Sequence, residues 1–154
     1  MAERIVRIRR AGGFRDYSVS DHGLRTLLDA LEMIRSSKDR SLLYRHSCHH
    51  GSCGTCGALV NGTPRLVCLT TLRELPGDPV VLEPLPHVLH IGDLAVHPGS
   101  LFRDIPVDAP HKRSEGVSGS YERLEDCIEC GLCVAACPVE EPFIGPAALA
   151  AIHR

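Results

Sequence analysis

The 154-residue sequence has no tryptophan, three phenylalanines and three tyrosines. Its core must therefore be aliphatic and thin for its length, and something besides apolar packing has to help hold it. No run approaches the roughly 20 consecutive apolar residues that cross a bilayer, and the start Met1-Ala-Glu-Arg-Ile-Val-Arg-Ile-Arg-Arg10 has no apolar signal core. The expectation is a cytoplasmic protein. No glycine-rich dinucleotide turn and no G-x-S-x-G elbow occur, and the histidines are scattered without an evident catalytic partner, so no substrate site is expected. Charge is nearly balanced, with a formal net of -2. Residues 1–50 hold ten Lys/Arg against six Asp/Glu, and residues 51–154 hold seven against thirteen. Neither half is basic enough to argue for nucleic acid.

Cysteine is what the chain has in plenty. Eight fall into two groups of four, Cys48, Cys53, Cys56, Cys68 and then Cys127, Cys130, Cys133, Cys137. A reducing compartment does not maintain structural disulfides, so two four-thiolate metal sites are the better account. The first group is C-x4-C-x2-C with a fourth Cys eleven residues on, the plant-type spacing of a 2Fe-2S centre. Zinc modules normally pair two C-x2-4-C or H-x3-5-H units instead. His49 and His50 lie within this loop and invite a Rieske reading, but four cysteines already suffice. They read as exposed loop residues that tune the cluster at most. The second group, C-x2-C-x2-C-x3-C-P, is the bacterial ferredoxin run. In that run three sulfurs hold one 4Fe-4S cube and the fourth normally points to another cluster. Either Cys137 swings in as the fourth ligand, or the fourth iron is lost, leaving a 3Fe-4S centre, or it is held from outside. Pro138 favours three firm ligands, Cys127, Cys130 and Cys133.

The segments between are legible too. Val6 and Ile8 alternate with Arg7 and Arg9, and Tyr17 and Val19 do likewise beyond Gly12-Gly13, which predicts a hairpin. Leu24, Leu27, Leu28, Leu31 and Ile34 predict a helix opened by a Thr26-x-x-Asp29 capping box. Gly57–Val60, Asn61-Gly62 and Thr63–Cys68 predict a second hairpin that carries Cys68 back on its strand. Pro76, Pro79, Pro84 and Pro86 suggest a linker or strap, and residues 88–102 show weak helical periodicity. Residues 106–120 read as an exposed loop, and the acidic run between Glu115 and Glu141 reads as a solvated face or a docking face for a cationic partner. Pro146 to Ile152 predicts a helix with Pro in its first turn. The expected organisation is a 2Fe-2S ferredoxin-type domain over 1–80, a linker strap and helix over 81–105, and a helical ferredoxin-like domain over 106–154.

Together Ser47–Cys56, the eleven-residue return to Cys68 through Asn61-Gly62, the strap Glu83-Pro-Leu-Pro86 and Cys127 to Pro138 resemble the iron-sulfur subunits of succinate dehydrogenase and fumarate reductase. The order of the motifs carries the resemblance, over about residues 3–149. It implies an α+β chain, an N-terminal β-grasp 2Fe-2S domain joined to a helical 4Fe-4S ferredoxin-like domain. It also implies a flavoprotein partner subunit, and a membrane anchor or other acceptor subunit that holds the chain at the cytoplasmic face of the membrane. The chain departs from the family where a third Cys group would complete the 4Fe-4S site and build a 3Fe-4S site. It departs again where Val139 follows Pro138 in place of the usual Ser and Trp, so no quinone-site residue is carried over. The alternatives from other classes are a free two-cluster ferredoxin and a zinc protein or redox sensor.

Overall fold

A computed structural model describes residues 3–20, 22–103, 105, 126–139 and 145–153. The N-terminal hairpin pairs β1 (Glu3–Arg10) with β2 (Gly13–Ser20), in register from Glu3 opposite Ser20 to Arg10 opposite Gly13. Alternation puts Val6, Ile8, Tyr17 and Val19 on the covered face. Helix α1 (Leu27–Ser37) lays Leu27, Leu28, Leu31 and Ile34 on that face. The predicted capping box closes its first turn: Asp29 N–H donates to Thr26 Oγ1 at 3.2 Å, and Thr26 N–H donates to Asp29 Oδ2 at 2.9 Å.

The second hairpin, β3 (Gly57–Val60) and β4 (Thr63–Leu66), turns at Asn61 and Gly62 with φ of 49° and 77°, the positive values that a type I′ turn demands. Two expectations need correction here. Cys68 lies two residues beyond β4, in the turn that follows it. The expected boundary after residue 80 falls inside a strand, because β5 (Val80–Glu83) runs through the middle of the sheet. It pairs parallel with β1 and antiparallel with β3, giving the order β2-β1-β5-β3-β4 with α1 across one face, a β-grasp sheet. Prolines flank β5 without interrupting it: Val80 and Leu82 are fully buried. The turn residue Asn61 fastens the strand, accepting from Val81 N–H at 2.7 Å and donating to Pro76 O at 3.1 Å.

The helix expected within 88–102 is a third correction. This stretch forms a small hairpin of β6 (His90–Gly92) and β7 (Ala95–Val96), followed by a 3-10 helix, Pro98–Phe102. Asp93, at φ 45°, makes the tight turn that a helix cannot. Its carboxylate accepts from Leu43 N–H at 2.8 Å and pairs with Arg10 Nε at 3.1 Å. The C-terminal part contributes α2 (Leu132–Ala135) and α3 (Pro146–His153), the latter where the sequence predicts it. Val134 and Ala147 join Leu85, Val88, Val96 and Leu101 in a second, smaller apolar cluster. The 106–120 loop, and the acidic run apart from Asp126 and Glu129, lie outside the described residues.

Candidate metal centres

The first cysteine loop leaves α1 through a segment pinned to the sheet by Asp39. This carboxylate is 8% exposed and accepts from the Ser41 hydroxyl at 2.6 Å, the Tyr17 hydroxyl at 2.7 Å and Arg15 Nη1 at 2.9 Å. Ser41 and Tyr17 foremost hold it well below the usual carboxylate range.

Cys48, Cys53, Cys56 and Cys68 are brought together, all with free thiols. Their surroundings differ in a way that bears on metal. Backbone N–H groups of His50, Ser52 and Cys53 point at Cys48 Sγ from 3.5, 3.2 and 3.4 Å. The His50 N–H is the main reason its thiol falls to about 5. The Thr55 hydroxyl, 3.2 Å from Cys53 Sγ, lowers that thiol as well. Cys56 and Cys68 are buried at 5% and 4% exposure, and burial pushes Cys56 up to about 12. Cys48 and Cys53 are thus ready to act as thiolates, whereas buried Cys56 resists ionisation unless a cation compensates. That is a donor set suited to iron, and it holds no disulfide.

In the second group, Gly131 at φ 75° turns the chain into α2, which carries Cys133. Cys133 is exposed as a residue, yet its thiol is raised, by desolvation first and then by the charges of Cys130 and Cys127, which places those three together. Cys137 follows the helix, half-buried, its N–H donating to Val134 O at 3.2 Å.

The two groups touch, and nothing in the sequence pattern signals this. Gly54 of the first loop, at φ 68°, lies so close to the second that a Cβ there would stand 2.2 Å from Ile128 O and 3.0 Å from Cys130 Cα. A Cβ on Gly57 would stand 2.9 Å from Cys130 O. Glycine is required at 54 both by the backbone conformation and by this approach.

Comparison with known proteins agrees with both halves. Residues 4–103 match the 2Fe-2S iron-sulfur cluster binding domain family, and residues 122–140 match the 4Fe-4S binding domain family. The chain is thus an iron-sulfur protein of two cluster-binding modules. It belongs to the family of succinate dehydrogenase and fumarate reductase iron-sulfur subunits. It is 33% identical to the fumarate reductase iron-sulfur subunit of Wolinella succinogenes, over 92% of this chain and 66% of that one. It is 34% identical to the mitochondrial succinate dehydrogenase (ubiquinone) iron-sulfur subunit 3 of Arabidopsis thaliana, over 83% and 47%. A chain in the structure of the Mycobacterium smegmatis Sdh1 complex in the apo form superposes with a TM-score of 0.75 at 28% identity, covering 94% of this chain and 70% of that one. The chain spans just under two thirds of the length of the Wolinella subunit. No helix among the described residues is long and apolar enough to cross a membrane.

Proposed function

We propose that the chain relays electrons within a complex of the succinate dehydrogenase and fumarate reductase type, between a flavoprotein subunit and an acceptor subunit. Cys48, Cys53, Cys56 and Cys68 would hold a 2Fe-2S cluster, and Cys127, Cys130 and Cys133 three corners of a 4Fe-4S cluster, with Cys137 the candidate for the fourth. Bound there, the clusters supply one-electron redox steps. The polypeptide's own contribution is to present backbone N–H groups to the sulfur of Cys48, to exclude water from Cys56 and Cys68, and to fix the separation of the two centres.

The observation that carries this reading is the backbone contact of Gly54 and Gly57 with Ile128 and Cys130. Electron transfer falls off steeply with distance, and two ligand-bearing segments in van der Waals contact keep their centres close. Leu69, which follows Cys68 and is 60% exposed, adds an apolar spot at the rim of the first loop, against which the position of a Gly51 Cβ would stand 2.6 Å away.

The test is anaerobic isolation of the native protein with whatever chains accompany it. The expected result is a co-purifying flavoprotein, a rhombic EPR signal from the first centre on reduction, and a second iron-sulfur signal that interacts magnetically with it. A colourless, zinc-loaded chain would overturn the cluster assignment. A monomer that supports full turnover with several unrelated reductases would instead establish a free ferredoxin.

A further inference from the structure

A third constellation of metal-binding side chains stands beside the first cysteine loop and uses no cysteine. Glu32 projects from α1, His46 comes from the segment entering the loop, and His49 from the loop itself, just after Cys48. Their ligand atoms form a nearly equilateral triangle: His46 Nδ1 to His49 Nε2 is 3.2 Å, and each of these nitrogens is 3.5 Å from Glu32 Oε1.

The two imidazole nitrogens are within hydrogen-bond distance of each other at 3.2 Å, but that contact does not account for the carboxylate. Both contacts to the carboxylate exceed the 2.7–3.2 Å of a well-made N–H···O bond. The dimensions fit an ion instead. With metal–nitrogen distances of about 2.0–2.1 Å, the edge of a tetrahedron is about 3.3–3.4 Å, which the three sides bracket, whereas an octahedral face would have edges nearer 2.9 Å. Two imidazoles and a carboxylate are also a donor set that zinc accepts.

The rings are held in place by their surroundings. His46 stacks on Tyr44 at 5.2 Å and 25°, and Tyr44 is buried at 7% exposure under the Arg35 guanidinium. His49 adopts φ 63°, a conformation uncommon outside glycine, and its ring meets His46 edge-on at 85°. Backbone strain of this kind concentrates at binding sites. The fourth corner of the tetrahedron faces outward, since the side chains of His49 and Glu32 are 46% and 39% exposed.

We propose that Glu32, His46 and His49 form a binding site for one zinc ion, separate from both cysteine groups and with its fourth position open to water. The ion ties α1 to the cysteine loop and sets a positive charge next to Cys48. Because no cysteine takes part, the site stands or falls independently of the electron-relay reading.

The test uses the full chain with its clusters loaded, equilibrated anaerobically with zinc chloride and desalted, followed by counts of zinc, iron and sulfide. The wild type should retain one zinc per chain more than Glu32→Gln, with iron and sulfide equal in the two. Zinc should raise the melting temperature of the wild type and leave that of Glu32→Gln unchanged. His46→Ala and His49→Ala should lose the zinc as well, while His50→Ala, which removes the adjacent imidazole outside the triangle, should keep it. Glu32 lies on a helix away from the thiols, so Glu32→Gln carries the test even where a histidine variant disturbs the loop. Equal zinc in wild type and Glu32→Gln, zinc uptake matched by loss of iron, or loss of zinc in His50→Ala would each overturn the assignment.

Discussion

The two cysteine groups are held by different means. The first is part of the sheet's own fabric: its inner thiols, Cys56 and Cys68, sit in the main apolar cluster with Val60, Val67 and Leu72, and the segment leading into it is anchored by Asp39. The second rests on the outside of that unit, with Cys133 exposed and a small apolar cluster around Val134 beneath it. Among the described residues no buried carboxylate anchors it. A ligand set built into the core couples metal binding to the folding of the whole domain, while one seated on its surface couples only to its own docking.

The strongest way to break that comparison is to remove one inner thiol and one outer one. Cys56→Ser should abolish the 2Fe-2S signal and destabilise the β-grasp domain by more than about 3 kcal/mol, since a buried ligand and its cluster are lost together. Cys133→Ser should remove the second centre and leave the first centre's EPR spectrum and the main melting transition in place. Equal loss of stability in the two variants would show that the groups are coupled to the fold in the same way.

The contact between the groups can be tested by contrasting two glycines. Gly54 and Gly62 both have positive φ, 68° and 77°, but a Cβ at 62 meets nothing within 4 Å whereas one at 54 meets Ile128 O at 2.2 Å. Gly62→Ala should cost only backbone strain, about 1 kcal/mol. Gly54→Ala carries the same strain and must also push the second segment away, so the magnetic interaction between the reduced centres should weaken. If the interaction survives unchanged, the centres are not positioned through Gly54.

The anchoring of the first group has a pH signature. The carboxyl of Asp39 is lowered by the Ser41 and Tyr17 hydroxyls and by Arg10. A lowered folded-state pKa gives stability that is complete above the unfolded value of about 3.9 and is lost as pH falls below it. Asp39→Asn should therefore reduce the melting temperature by several degrees, equally at pH 5 and pH 8. A deficit that grows towards pH 5 would mean that the carboxyl titrates above its unfolded value in the folded protein.

Much of this was legible in the sequence because it is local. The capping box at Thr26, the Asn61-Gly62 turn and the inward set Val6, Ile8, Tyr17 and Val19 follow from short-range rules, and the structure places each as expected. The errors arose where pairing at long range decides. Val80–Glu83 lies among prolines and reads as a strap, but its place between β1 and β3 is set by partners more than 20 residues away on one side and more than 70 on the other. The weak helical period of residues 88–102 was outweighed by the Asp93 turn, itself fixed by Arg10 and Leu43. Cysteine spacing divided the thiols into two groups of four but could not indicate that Gly54 abuts Ile128, or that Glu32 meets His46 and His49, because each juxtaposition is created by the fold.

The smallest effect is expected at Cys137, where the comparison of the two groups is sharpest. In the first group every thiol lies on the loop or in the turn after β4, and the chain returns to deliver the fourth. In the second, Cys127, Cys130 and Cys133 share one turn of chain around Gly131, whereas Cys137 comes after α2, with its N–H tied to Val134 O and Pro138 directing the backbone onward. A ligand placed beyond a helix reaches a cube only if the chain doubles back, and proline at the next position opposes that. Cys137→Ser should therefore keep most of the second centre's iron and its reduced spectrum, losing at most the fourth iron and giving a 3Fe-4S signal on oxidation. Cys130→Ser should lose the centre outright. If the two variants lose it to the same extent, Cys137 is a full ligand, and the second group closes its own site as completely as the first.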